Sequence, residues 1–79
     1  MENTNEAEII TQNGRRILVL NRKSTAKTYV NIVLLKWIGN GFQKYSTHIE
    51  NTSRGKNDFC LGHYFDDIYA ASSDFLNRV

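Results

Sequence analysis

Residues 29–49 constrain the fold of this 79-residue chain more than any other stretch. An apolar run, Tyr29-Val30-Asn31-Ile32-Val33-Leu34-Leu35-Lys36-Trp37-Ile38, meets Gly39-Asn40-Gly41 and continues as an alternating run, Phe42-Gln43-Lys44-Tyr45-Ser46-Thr47-His48-Ile49. Two β-branched and aromatic runs joined by Asn-Gly predict a β-hairpin, because a type I′ turn needs positive φ at both central residues.

The flanking segments extend this unit. Glu8-Ile9-Ile10-Thr11, the turn signal Asn13-Gly14 and the run from Arg15 to Asn21 predict a second hairpin, joined to the first by a polar, basic connector over residues 22–27. Residues 50–57 hold no apolar member and read as a loop, and residues 58–64 as a last short strand. From Phe65 the period changes: Phe65, Ile68, Ser72, Phe75, Leu76 and Val79 recur at helical spacing. Asp66 is the expected cap, Asp67 and Arg78 complement the dipole in the first and last turns, and Asp67, Ala70, Asp74 and Asn77 face outward. The expected fold is α+β: a three- to four-stranded antiparallel sheet in meander order, with one C-terminal amphipathic helix packed on one face. Residues 1–79 form one domain, with 1–8 a flexible N-terminal tail.

A two-residue turn at Asn40-Gly41 puts Val30, Ile32 and Leu34 on one face with Tyr45, Thr47 and Ile49. Tyr29, Val33, Leu35 and Trp37 share the other face with Phe42, Lys44, Ser46 and His48. A half-solvated strand should alternate cleanly, so a strand apolar on both sides needs a cover on each. With one helix available, the second cover is Phe59 or the N-terminal strand folding back, a second copy forming a homodimer, or a target protein. That face supplies the expected protein-binding set, Tyr29, Val33, Leu35, Trp37, Phe42 and Lys44.

Charge supplies a second candidate. Net charge is only +2, yet residues 15–56 hold nine bases against Glu50 alone, between ends that are each net acidic. Clustered cations raise the local concentration of polyanions or acidic proteins. Arg22, Lys23, Lys27, Arg54 and Lys56 occupy the loops at the end of the central hairpin opposite its turn, where they would grip nucleic acid or an acidic partner. A solubilising edge explains the same residues without a partner.

Candidates for chemistry are few. Cys60-Leu61-Gly62-His63 has the spacing of half a zinc site, with His48 and Asp58 as further ligands, but on a regular strand Cys60 and His63 point to opposite faces. The expectation is therefore no metal, with Cys60 in the core and His63 at the sheet edge. Cys60 and His48 are the only nucleophile and base pair in the inventory, without an orienting group, and no glycine loop opens a helix to cradle a phosphate. No enzyme and no cofactor are expected. A single cysteine excludes an intrachain disulfide, the polar acidic start lacks the features of a signal peptide, and the longest apolar run is far too short to span a bilayer. The expected address is cytoplasmic, away from membranes.

The order Trp37…Tyr45-Ser46-Thr47-His48…Gly62-His63-Tyr64-Phe65…Ala70…Asp74-Phe75…Arg78 resembles the small sheet-then-helix proteins of phages and other mobile elements, among them anti-CRISPR-type inhibitors. The resemblance covers the C-terminal half and implies a phage-type inhibitor of a host enzyme or defence complex that covers a protein surface. Its basic middle departs from the acidic, nucleic-acid-imitating members. The expected function is a small non-catalytic protein-binding module, with a small basic nucleic-acid-binding domain as the alternative.

Overall fold

The computed structural model describes residues 8–12, 14–39, 44–55 and 57–78. Five strands, β1 (Glu8–Gln12), β2 (Arg15–Ser24), β3 (Val30–Ile38), β4 (Tyr45–Asn51) and β5 (Phe59–Phe65), precede one helix, α1 (Ile68–Asn77). The strands lie in the order β1-β2-β3-β4-β5, all neighbours antiparallel. The meander is therefore one strand wider than the upper limit of the sequence reading, because the N-terminal hairpin and the last strand both join it.

Local chemistry accounts for the joins. Gln12 pairs with Arg15, so two residues connect β1 to β2, and Gly14 takes φ +78, as a tight hairpin requires. β3 and β4 pair from Val30 with Asn51 to Lys36 with Tyr45, the register expected from the Asn40-Gly41 turn signal. That turn and Phe42 lie outside the described residues, as do Lys56 and residues 1–7. β2 runs on to Ser24, so Arg22 and Lys23, expected in a connector, are strand residues paired with Val33 and Ile32. Glu50, expected to open a loop, belongs to β4.

The sheet carries a core on each face. On one, Ile32 and Leu34 pack with Ala71 and Phe75 of α1, joined by Tyr45, Ile49, Phe65 and Ile68. On the other, Ile17, Val19, Val33 and Leu35 form a second cluster, with Ile10, Trp37 and Phe59 packed against it. Ile17, Val33 and Leu35 are each 0% exposed. Ile10 from β1 and Phe59 from β5 thus reach this face from the two outer strands, which is the intramolecular answer to the doubly apolar β3. Each buried aliphatic side chain contributes about 1.5–3 kcal/mol.

Two local rules were broken. Ile49 pairs with Cys60 but Thr47 with His63, so an extra residue enters β5 around Leu61, whose φ is +53. This bulge resets the alternation and brings Cys60 and His63 onto the same face, correcting the parity argument. Cys60 is exposed, not core. The helix also starts one residue late: Asp67, not Asp66, is its N-cap, accepting from the Ala70 amide at 2.9 Å. Its buried positions are Ala71 and Phe75, while Leu76 is 70% exposed and Arg78 is the cap residue at the far end.

Candidate binding cleft

One concavity stands out among the described residues. The β2–β3 connection, the start of β3, the end of β4 and the end of α1 enclose a cleft of about 750 Å³. Its position follows from the loop. The Thr25 hydroxyl accepts from the Lys27 amide at 3.2 Å and donates to the Val30 carbonyl at 2.8 Å, while the Val30 amide donates back to the Lys27 carbonyl at 3.1 Å. The Thr52 amide donates to the Tyr29 carbonyl at 2.8 Å, which ties the loop to the end of β4.

The lining divides by chemistry. Ala26, Tyr29, Val30 and Ile49 supply apolar surface, Ser24, Thr25 and Asn51 neutral polar groups, and Lys23, Lys27 and Arg78 positive charge, with no carboxylate among them. Tyr29 is exposed. The Lys27 ammonium has no ion pair or hydrogen bond among the described residues. Lys23 and Arg78 are held in place. Lys23 Nζ lies 5.2 Å from the Phe75 ring centroid and donates to the Leu76 carbonyl at 3.1 Å. Arg78 donates through Nη1 to the Thr47 carbonyl and hydroxyl at 3.2 and 3.0 Å, and through Nη2 to the Leu61 carbonyl at 2.9 Å.

Behind Arg78, the Asp74 carboxylate accepts from the Thr47 hydroxyl at 2.5 Å and from His63 Nδ1 at 2.9 Å. Burial pushes the Asp74 carboxyl up, but these two hydrogen bonds and the positive charge nearby outweigh it and leave the pKa below its ordinary value. Asp74, expected to face outward, is thereby the hinge pin between helix and sheet.

Of the four basic candidates among the described residues, only Lys23 and Lys27 line the cleft. Arg22 lies on the opposite face, where its guanidinium meets Glu50 at 2.8 and 3.3 Å. Glu50 also accepts from Asn31 at 3.1 Å and from the Asn57 amide at 3.3 Å. Burial would raise the Glu50 pKa; the hydrogen bonds from Asn31 and Arg22 and the charge of Arg22 overcome it and lower the pKa instead. Arg54 faces Asp58 at 3.5 Å on the exposed loop, and Lys56 lies outside the described residues. Arg78 joined the set unforeseen, since its placement depends on how α1 lies across the sheet.

The protein-binding candidates do not form one surface. Val33 and Leu35 are sealed in the second core. Trp37 is half-buried beneath Arg15, whose guanidinium carbon sits 4.7 Å from the ring centroid, and its Nε1 donates to Ser46 Oγ at 2.8 Å. Lys44 is exposed, Phe42 lies outside the described residues, and Tyr29 belongs to the cleft.

The pairing of Cys60 with His48 is also absent. His48, 6% exposed, lies on the opposite face from Cys60, with Nε2 2.8 Å from Ser46 Oγ. Ser46 Oγ accepts from the Trp37 indole, which can only donate, and shares a second hydrogen bond with His48 Nε2 whose direction follows the ring's tautomer. Burial pushes the His48 pKa down to about 4, helped by the charges of Arg78 and His63. This Ser–His contact is closed to substrate, since Ser46 is 0% exposed.

Comparisons with protein-family models, curated proteins and solved structures find no match. Among the described residues, no three His, Cys, Asp or Glu side chains converge as metal ligands, and no helix is long and apolar enough to cross a membrane.

Proposed function

We propose that the chain is a small non-catalytic protein-binding module whose site is the cleft, and that it takes an extended acidic segment of a partner protein. The lining carries this reading: apolar surface from Tyr29, Val30 and Ile49 together with three cations, and no Asp or Glu among the described lining residues. Apolar contact supplies affinity, and the cations choose the sign of the partner and speed its arrival. A concavity of this size receives a few side chains rather than a globular surface.

Tyr29, an exposed aromatic, lines the same cleft as Lys23 and Lys27, the observation that favours nucleic acid. A single aromatic in a concave, partly apolar site suits a peptide better than a strand of stacked bases. Fluorescence anisotropy with three probes separates the readings: a peptide of Asp and Glu around a central Leu, its Asn and Gln counterpart, and a single-stranded oligonucleotide. The acidic peptide should bind and the amide peptide should not, with Lys27→Glu weakening binding roughly tenfold through one reversed charge pair. Oligonucleotide binding tighter than peptide binding would move the assignment to nucleic acid, and equal affinity for the two peptides would overturn it.

A further inference from the structure

We propose that the last turn of α1 is a positioning element of the cleft, fixing Lys23 and Arg78 for an acidic occupant, so that seating the helix and binding the occupant form one linked equilibrium. This rests on the cleft being the site of an acidic segment. Two of its three cations are tied to the helix end. Lys23 spans from β2 to the Leu76 carbonyl at 3.1 Å and lies against the Phe75 ring, while Arg78, which ends the helix, is bound to the Thr47 carbonyl and hydroxyl and to the Leu61 carbonyl.

Neither cation is exhausted by these contacts. An ammonium carries three donors and a guanidinium five, so each can take a carboxylate on the open side without releasing the helix. Lys27, without such a tether, loses more side-chain freedom when it pairs. The tethers also matter to the helix, because ten residues do not hold a helix alone in water. Its seat is Ala71 and Phe75 in the core, with Lys23 and Arg78 fastening the end. Phe75 does not line the cleft, yet its ring sets where the Lys23 charge stands. By linkage, the factor by which helix seating raises affinity is the factor by which the occupant stabilises the last turn.

Two variants test this. Lys23→Met keeps the stem over Phe75 and removes the charge; Phe75→Leu keeps an apolar core side chain and removes the ring beneath the ammonium. In the free protein, hydrogen exchange at the Arg78 amide, which donates to the Asp74 carbonyl, should quicken several-fold in Lys23→Met. Unchanged exchange overturns the tether whether or not a peptide binds. In titrations, the ratio of affinities for the acidic peptide and its amide counterpart should fall about equally in both variants, and no further in the double variant. A Phe75→Leu protein that binds both peptides more weakly at an intact ratio overturns the positioning role and leaves the cleft reading standing. A wild-type ratio near one overturns the cleft reading instead, while exchange still decides the tether.

Discussion

Gly62 of β5 stands directly against the ring of His48: a Cβ there would lie 2.5 Å from His48 Cε1 and 2.8 Å from Nδ1. The contact is with a buried ring hydrogen-bonded to Ser46, so the ring has little room to yield. Gly62→Ala should destabilise the fold by about 1–3 kcal/mol, the usual cost of overpacking. A urea midpoint checks it, and His48→Ala in the same chain should recover part of the loss.

The same histidine sets a pH dependence. Its folded pKa of about 4 lies below the ordinary 6.5, so the stability tied to the neutral ring is complete above pH 6.5 and is lost as pH falls toward 4. The full effect is about 3 kcal/mol. Glu50 and Asp74, whose folded pKa values are depressed, hold their contribution above the ordinary carboxylate range and lose it below. Unfolding free energy should therefore decline between pH 6.5 and 5 in the native protein and stay nearly level in His48→Gln; parallel curves would refute the assignment.

Glu50 is 3% exposed and anchors Arg22, Asn31 and the Asn57 amide. Glu50→Ala should cost about 2–4 kcal/mol, because it strands donors that the carboxylate satisfied. Replacing both partners, Glu50→Leu with Arg22→Met, should be milder than Glu50→Ala alone when thermal midpoints are compared.

Helix rotation is open to a direct contrast. Phe75→Ala empties a buried site and should cost about 3–5 kcal/mol. Leu76→Ala, at an exposed position, should stay within about 0.5 kcal/mol. Equal losses in chemical denaturation would mean that the helix presents both residues to the sheet.

The parts of the fold legible in sequence are those set by neighbouring residues. The Asn40-Gly41 signal predicts the register found for β3 with β4, Asn13-Gly14 announces the first hairpin, and the change of period at Phe65 announces α1. The bulge at Leu61 was not legible, because strand alternation presumes none, and it reversed the relation of Cys60 to His63. The closure of the second face needed Ile10 and Phe59 to arrive from opposite ends of the sheet. The candidate site was less legible: Lys23 and Lys27, from one connection, line the cleft, while Arg54 of the other faces Asp58. Arg22 was lost to Glu50, however, and Arg78 entered only through the lie of the helix.

The most direct test of the cleft is a titration of the isotope-labelled full chain with the acidic peptide, followed by backbone amide shifts. Changes should gather at residues 23–27, Tyr29, Val30, Ile49, Asn51 and Arg78, and should be much weaker in Lys27→Glu. Changes centred on Trp37 and Ser46, or none at all, would contradict the account.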